Sequence, residues 1–352
     1  MIKRAPSSVK RFLNPQGLNP KKVGALFLLA LVASSFVCDL TEGVAKEIKE
    51  LYWPSQEKND ATYVIDDTGV PLVDYGYIDG VHIGVQRNPV TVEMKALLYY
   101  EAYEQGCEED RQLFLNCADW LVNNSKEYKG CAVFEYEFPW SYGGMTPPWR
   151  SGMAQGMALQ VLIRAHDLTR DEKYLMCAEK SLALFFIDVE DGGVTRKHES
   201  NGWWYEEYAD EGSMQTKVLN GMMFAVVGIY EYSRYTGDED AQYLLDEGIK
   251  ALKNELPYYD NKRYSSYDIL GNHSGQYHEV HIQLLERLHT ITGEGIFKQY
   301  HERWESYEKS PYAIQLILNP TKMRVLFYAG NTFVLLILFW TILYVIERLL
   351  SK

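Results

Sequence analysis

Four stretches of this 352-residue chain repeat one pattern: an apolar helical face, a tight turn and a second apolar face. The first faces are Val92, Ala96, Tyr99, Tyr100 and Tyr103; then Ala154, Met157, Ala158, Val161, Leu162, Ala165 and Leu168; then Val218, Leu219, Met222, Met223, Val226, Val227 and Tyr230; then Val280, Leu284, Leu285, Leu288 and Ile291. Gaps of three and four place each set on one side of an α-helix. The turns read "LTRDEKY", "YTGDEDAQY" and "ITGEGIF", with "EQGCEED" as a weaker relative. Gly suits the end of one helix and an acid the start of the next. The period, about 56 to 67 residues, exceeds that of common solenoids. The pattern predicts an all-α fold, an α/α toroid of about four helix pairs with first helices inside and second helices outside. A short N-terminal β-containing segment precedes it, and terminal membrane segments flank it.

The connections fall into two classes. Turns within a pair are two to four residues, whereas connections between pairs run roughly 24 to 28, beyond the ~12–15 at which loops are usually functional or disordered. In an alternating ring all the long ones leave on the same rim. They are rich in rings, Gly and Pro: "CAVFEYEFPWSYGGMTPPWR", "VEDGGVTRKHESNGWWYEEYADEGS" and "PYYDNKRYSSYDILGNHSGQY". "DYGYIDGVHIGVQRNP" joins them ahead of the first inner helix. One rim should therefore carry a Tyr-dense mouth.

The ends differ in kind from the middle. Val23–Cys38 is charge-free and follows a basic tail, but at roughly 24 Å as a helix it falls short of a ~30 Å hydrocarbon core. It reads as a signal peptide or a short anchor. Val325–Ile346 is apolar for roughly 33 Å, enough to span. The expected organisation is a basic cytoplasmic tail (1–22), a signal or anchor (23–38), a linker and β-rich lead-in (39–90), the helical catalytic domain (91–307) and a transmembrane helix (325–346). The basic tail predicts that the catalytic domain is extracytoplasmic, extracellular or lumenal. A net charge of −13 argues against a nucleic-acid partner. Cys107, Cys117, Cys131 and Cys177 offer sulfur for disulfides in such a compartment, and their spacing matches no zinc pattern.

Rings, carboxylates and a few cations suit a carbohydrate, whose faces stack on aromatics. Trp140, Trp149, Trp203 and Trp204 offer rings, and Arg87, Arg150, Lys217 and Arg263 offer charge for a substrate carboxylate, beside His273, His278 and His281. Glu206 and Glu207 are adjacent acids, but neighbours in sequence seldom converge on one bond, so a glycosidase would draw a second acid from Glu135, Glu137 or Asp268. No phosphate loop, dinucleotide fingerprint, HExxH or GxSxG is present.

"WRSGMAQGMALQVLIRAHDLT" (149–169), "YEEY" (205–208), "VLNGMM" (218–223), "YD" (267–268) and "YHEVHIQLL" (277–285) together resemble the D-glucuronyl C5-epimerase family, in order and approximate spacing, over about residues 75–307. The resemblance implies an α/α-barrel catalytic domain, inversion of D-glucuronic to L-iduronic acid at C5 within a glycan, and no cofactor or metal. It implies Glu207, Tyr208, Tyr267 and Tyr277 as catalytic residues, and it places Arg150 and Gln155 in a substrate-binding block; Lys217, Arg263 and Trp204 are further binding candidates on the rim. The chain has "YDILG" where the family has an Arg-bearing "YDLRH", and "SGQ" where the family has an Arg-Trp-Asp run. Residues 39–75 leave no room for the large β-domain of the animal enzymes. The expected partners are a uronic-acid-containing glycan and, through the terminal helices, a membrane, with a homodimer left open. Two other functions share these features: a polysaccharide lyase, which expels the C4 substituent after the same proton abstraction, and a tethered glycan-binding protein. A tyrosine catalyst requires its pKa, ~10, to be pulled down by cations or hydrogen bonds.

Overall fold

The computed structural model describes residues 20–52, 62–308, 311–318, 320 and 322–350, and among them it is mostly helical with a few short sheets. Helix α1 (Pro20–Tyr52) is followed by five short strands, β1 (Thr62–Ile65), β2 (Pro71–Asp74), β3 (Tyr77–Ile78), β4 (Val81–His82) and β5 (Val85–Gln86). Four helix pairs come next: α2 (Pro89–Glu104) with α3 (Asp110–Asn124), α4 (Gly152–Thr169) with α5 (Glu172–Ala183), α6 (Leu219–Thr236) with α7 (Glu239–Glu255), and α8 (Gly275–Thr292) with α9 (Gly295–Glu308). Two-stranded hairpins, β6–β7 (Lys126–Tyr128, Cys131–Val133) and β8–β9 (Thr195–His198, Gly202–Tyr205), sit in the first two long connections, and α10 (Tyr312–Leu318) and α11 (Lys322–Leu350) close the chain. Two compact units result: Met1–Ser55 with Glu308–Lys352, and Gln56–Tyr307.

The larger unit contains the helix pairs. Several helix ends rest on local chemistry. Asn88 caps α2 ahead of Pro89, Ser151 caps α4, Asp171 caps α5 and Asp238 caps α7; left-handed Gly237 and Gly293 end α6 and α8. The first helices pack in chain order, α2 on α4, α4 on α6 and α6 on α8; the first three are backed by their second helices, and α9 meets α8 through His301 at the Ile282 carbonyl (3.0 Å) and Trp304 against His281. Leu162, Met222 and Leu285 are fully buried in that row, and each such side chain contributes about 1.5–3 kcal/mol. The closest crossing is α4 on α6, where a Cβ on Gly228 would run into the Gly156 carbonyl. At the end of the row away from the long connections, Arg164, Glu231 and Arg287 form an ion-pair network, and Arg287 Nη2 also donates to Gln160 Oε1 (3.3 Å), tying α8 to α4 and α6. Cationic side chains there lie toward the C-termini of α4 and α8, where the helix dipole favours them.

The lead-in forms an antiparallel sheet, β1–β2–β5, with Thr62 opposite Asp74 and Val73 opposite Gln86. Arg87 pins it by pairing with Asp66 and donating to the Val70 (2.7 Å) and Pro71 (3.0 Å) carbonyls. Cys107, Cys117, Cys131 and Cys177 are free thiols, so the disulfides that the sequence allowed are not formed.

In the smaller unit α1 runs antiparallel to α11. Lys22 pairs with Glu347 (2.7 Å) at one end, Tyr328 donates to the Leu31 carbonyl (2.7 Å) midway, and the Tyr312 amide donates to Asp39 (2.8 Å) at the other. Residues 39–52, expected in a linker, instead continue α1, and the apolar part of that helix extends over Pro20–Thr41, 22 residues rather than the shorter charge-free core. Arg324–Leu350 is the second such segment. Both are long and apolar enough to cross a membrane by length and composition. The basic tail lies outside the described residues, save its last three.

Candidate active site

The long connections meet one another. The Arg150 amide donates to the Ala209 carbonyl (2.9 Å), the Gly152 amide to Glu206 (2.6 Å), and the Leu219 amide to Tyr267 (2.9 Å). The segment that opens α4, the "EEY" segment and the loop before α8 therefore converge on the N-terminal ends of the inner helices. Between them lies a cavity of about 330 Å³. Its floor comes from the first turns of all four: Asn88, Val90 and Thr91 for α2, Ser151 and Met153 for α4, Asn220 for α6, Gln276 and Tyr277 for α8. Val218 and Ser274, which precede α6 and α8, make no side-chain capping bond.

One wall is aromatic. Tyr136 stacks on Trp149 (3.9 Å, 10°), Trp149 meets Tyr208 (5.7 Å), and Trp140 meets Tyr75 edge-on (5.6 Å). Tyr75 comes from the β-containing lead-in, Tyr136, Trp140 and Trp149 from the loop before α4, and Tyr208 from the segment after β9. Trp203 and Trp204 face elsewhere: alternation along β9 buries Trp204 against Tyr259 (5.9 Å, stacked), while Trp203 packs on Tyr243 and Phe186.

The same alternation separates the two glutamates. Glu206 is fully buried, pairs with Arg196 (3.0 Å) and accepts from the Lys217 amide (3.1 Å). Glu207 turns the other way, into the cavity, where it packs on Gly221 so closely that a Cβ there would lie 2.6 Å from its own Cβ. Asn220 Nδ2 lies 3.5 Å from its Oε2. Burial raises the Glu207 carboxyl from its ordinary 4.5 to about 7, assisted by the nearby Glu206 charge and opposed by hydrogen bonds from Tyr208 and Tyr267.

The tyrosines form a chain. Tyr208 Oη lies 3.3 Å from Tyr267 Oη, and the Tyr267 and Tyr277 rings are 4.5 Å apart. Tyr142, which sequence reasoning did not single out, packs edge-on to Tyr208 (5.0 Å) and donates to buried Asp268; Asp268 also accepts from the Asn272 amide (2.9 Å) and side chain (2.6 Å), holding the Tyr267 loop in place. Burial first, then the Glu207 charge, pushes the Tyr208 and Tyr267 hydroxyls up rather than down. The expectation of phenols activated by cations is thereby reversed. They hold their protons, and among the described residues that line the cavity the ionisable group poised near neutrality is Glu207.

The cavity brings Glu207, Tyr208 and Tyr277 together, with Tyr267 in contact behind them. It does not bring in the other candidates. Arg150 pairs with Glu135 (2.6 Å) and stacks over Tyr128 (3.8 Å). Gln155 is fully buried, accepting from the Phe134 amide (2.9 Å) and donating to the Ala132 carbonyl (3.0 Å). Lys217 pairs with Glu255 (2.8 Å), and Arg263 is exposed away from the lining. Among the described residues that line the cavity none is Lys, Arg or His. Asn88, Asn220 and Gln276 were missed, although "VLNG" placed Asn220 at the start of an inner helix; they stand where the first turns open to the ligand space. The described residues hold no cluster of His, Cys, Asp or Glu able to bind a metal.

Comparison with known proteins bears on this geometry. The family model described as D-glucuronyl C5-epimerase C-terminus matches residues 126–306. The D-glucuronyl C5-epimerase of Caenorhabditis elegans is 32% identical over 296 residues, which cover 78% of this chain and 44% of the nematode protein, so the chain spans less than half of that relative. An uncharacterized protein of Methanocaldococcus jannaschii is 30% identical over 270 residues, 70% of this chain and 86% of the archaeal one. Among solved structures, an unsaturated glucuronyl hydrolase from Bacillus sp. GL1 aligns with a TM-score of 0.44 at 15% identity, over 62% of this chain and 60% of the hydrolase.

Proposed function

From the premise that the chain belongs to the D-glucuronyl C5-epimerase family, we propose that it inverts C5 of D-glucuronic acid in a glycan, by removing the C5 proton from one face and returning a proton to the other. The single observation that carries the reading is the Glu207 carboxyl, held near neutrality inside the cavity, with the protonated phenols of Tyr208 and Tyr267 beside it and the Tyr277 ring on α8 lining the same cavity. A base is most effective when its pKa lies near the working pH. Glu207 is assigned to proton abstraction and Tyr277, across the cavity, to donation. Tyr208 and Tyr267 return the balance: once Glu207 has gained a proton and Tyr277 has lost one, the Tyr208–Tyr267 chain connects the two.

Abstraction builds charge on the substrate carboxylate, which must be met by dipoles where no cationic side chain lines the cavity. Beyond the Leu219 amide, which the Tyr267 carbonyl takes, the first turns of α6 and α8 carry backbone N–H groups that no side chain caps, and these supply such donors. Gln276 and Asn220 add amide groups beside them. In this reading the four pairs form an α/α toroid over 91–307, with the β-containing segment 62–88 as lead-in, and the apolar helices hold it to a membrane with the catalytic unit outside the cytoplasm.

The test is incorporation of deuterium from heavy water at C5 of a glucuronic-acid-containing polymer. Exchange with recovery of iduronate, and loss of 10²–10⁴-fold in folded Tyr208→Phe, is the expected result. Exchange accompanied by an ultraviolet-absorbing unsaturated product would mean a lyase, and absence of exchange would refute the assignment.

A further inference from the structure

Outside the cavity, the loop that carries Tyr267 is fastened to the helix that carries Tyr277 by a buried polar knot. The Ser265 amide donates to His278 Nδ1 (2.9 Å), and Ser265 Oγ lies 2.8 Å from His278 Nδ1 and 2.7 Å from His281 Nδ1. His278 and His281 stand one turn apart on α8, so both rings reach the same hydroxyl. Ser265, His278 and His281 are at most 4% exposed, and Trp304 of α9 closes over the rings at 6.3 and 6.0 Å. None of the three lines the cavity.

An N–H pointing at Nδ1 makes that nitrogen an acceptor, so His278 is the neutral tautomer with its proton on Nε2. Burial keeps both rings neutral, lowering His278 to about 4 and His281 to about 3. The knot is therefore intact throughout the neutral range. Its position in sequence gives it a purpose. Ser265 lies two residues before Tyr267, and His278 directly follows Tyr277, so hydrogen bonds under 3 Å long sit next to two phenol rings 4.5 Å apart.

We propose that Ser265, His278 and His281 are positioning residues that set the spacing of Tyr267 and Tyr277 for proton return. The proposal rests on the epimerase reading for its catalytic consequence, while its geometric consequence does not depend on that reading. Groups that transfer protons tolerate misplacement of only a few tenths of an ångström before rate is lost, and the knot ties this loop directly to α8, which the Asp268 bonds within the loop and to Tyr142 do not.

The experiment compares His278→Leu, which leaves the Ser265 amide without an acceptor, with His278→Asn, whose side-chain oxygen can accept in place of Nδ1. Deuterium exchange at C5 gives kcat and KM, and fluorotyrosine at 267 and 277 reports the ring contact by fluorine resonance in the same full-length variants. The expected result is a kcat lowered by roughly 10–100-fold in His278→Leu with KM unchanged, substantial recovery in His278→Asn, and fluorine shifts that move and return in parallel. Should His278→Leu not fold, Ser265→Ala, which keeps the amide and removes the hydroxyl, is expected to lower kcat several-fold at constant KM. Unmoved fluorine shifts, or wild-type kcat in the folded variants, overturn the positioning role. If the wild type shows no exchange while the shifts move as expected, the reaction assignment fails and the geometric role stands.

Discussion

Glu207→Gln is expected to make the protein more stable and almost inactive. In the unfolded chain Glu207 loses its proton near 4.5, and in the fold near 7, chiefly because burial penalises the charge. Between those values the folded chain binds more protons than the unfolded one, so stability contributed by this group falls as pH rises from about 4.5 and levels off above about 7. The ionised group then costs up to about 3 kcal/mol, an upper bound because the carboxylate edge meets the cavity. Gln has the same shape without the charge. At pH 8 the variant should gain up to that amount, seen as a rise of roughly 2–4 °C per kcal/mol in the melting temperature for a unit of this size. At pH 4, where Glu207 is protonated in both states, the gain should vanish. Deuterium exchange should fall by about 10²–10⁴-fold, and wild-type exchange should climb with pH to a plateau above about 7. A stabilisation that persists at pH 4, or none at pH 8, would refute the burial argument. Undiminished exchange would remove Glu207 from the reaction.

Gly221→Ala places a methyl against Glu207 Cβ at 2.6 Å, so the carboxylate must move, and kcat should fall at least tenfold while the melting temperature drops modestly; unaltered kcat would mean that Glu207 placement is not critical. Arg150→Gln breaks the largely buried pair with Glu135 and the stack on Tyr128, so the expected loss is about 2–4 kcal/mol of stability with KM nearly unchanged, and a large rise in KM at constant stability would restore Arg150 as a carboxylate anchor. Protease added to intact cells should cleave within 62–307; protection until the membrane is opened would reverse the proposed orientation.

How far the sequence reached depended on whether the information was local. Helix faces at gaps of three and four, Asp caps at 171 and 238 and left-handed Gly at 237 and 293 are properties of a few consecutive residues, so all four pairs were legible before any coordinates. Loop length likewise indicated which end of the helices would be crowded, and the "EEY" block directed attention to Glu207 and Tyr208. What lay beyond reach was which partner each side chain meets. A one-residue step along the chain after β9 turns Glu206 into the core and Glu207 into the cavity, and only the packing of the hairpin against α7 and α6 decides which is which. Arg150, Lys217 and Arg87 looked like anchors for an anion, yet each is claimed by a carboxylate 15 to 38 residues away, Glu135, Glu255 or Asp66. The Trp pair at 203 and 204 was replaced at the cavity by Trp140 and Trp149 for the same reason. Burial, finally, is a collective quantity: the fold alone determined that the phenols keep their protons and that a glutamate, not a tyrosine, is poised to give and take one near neutral pH.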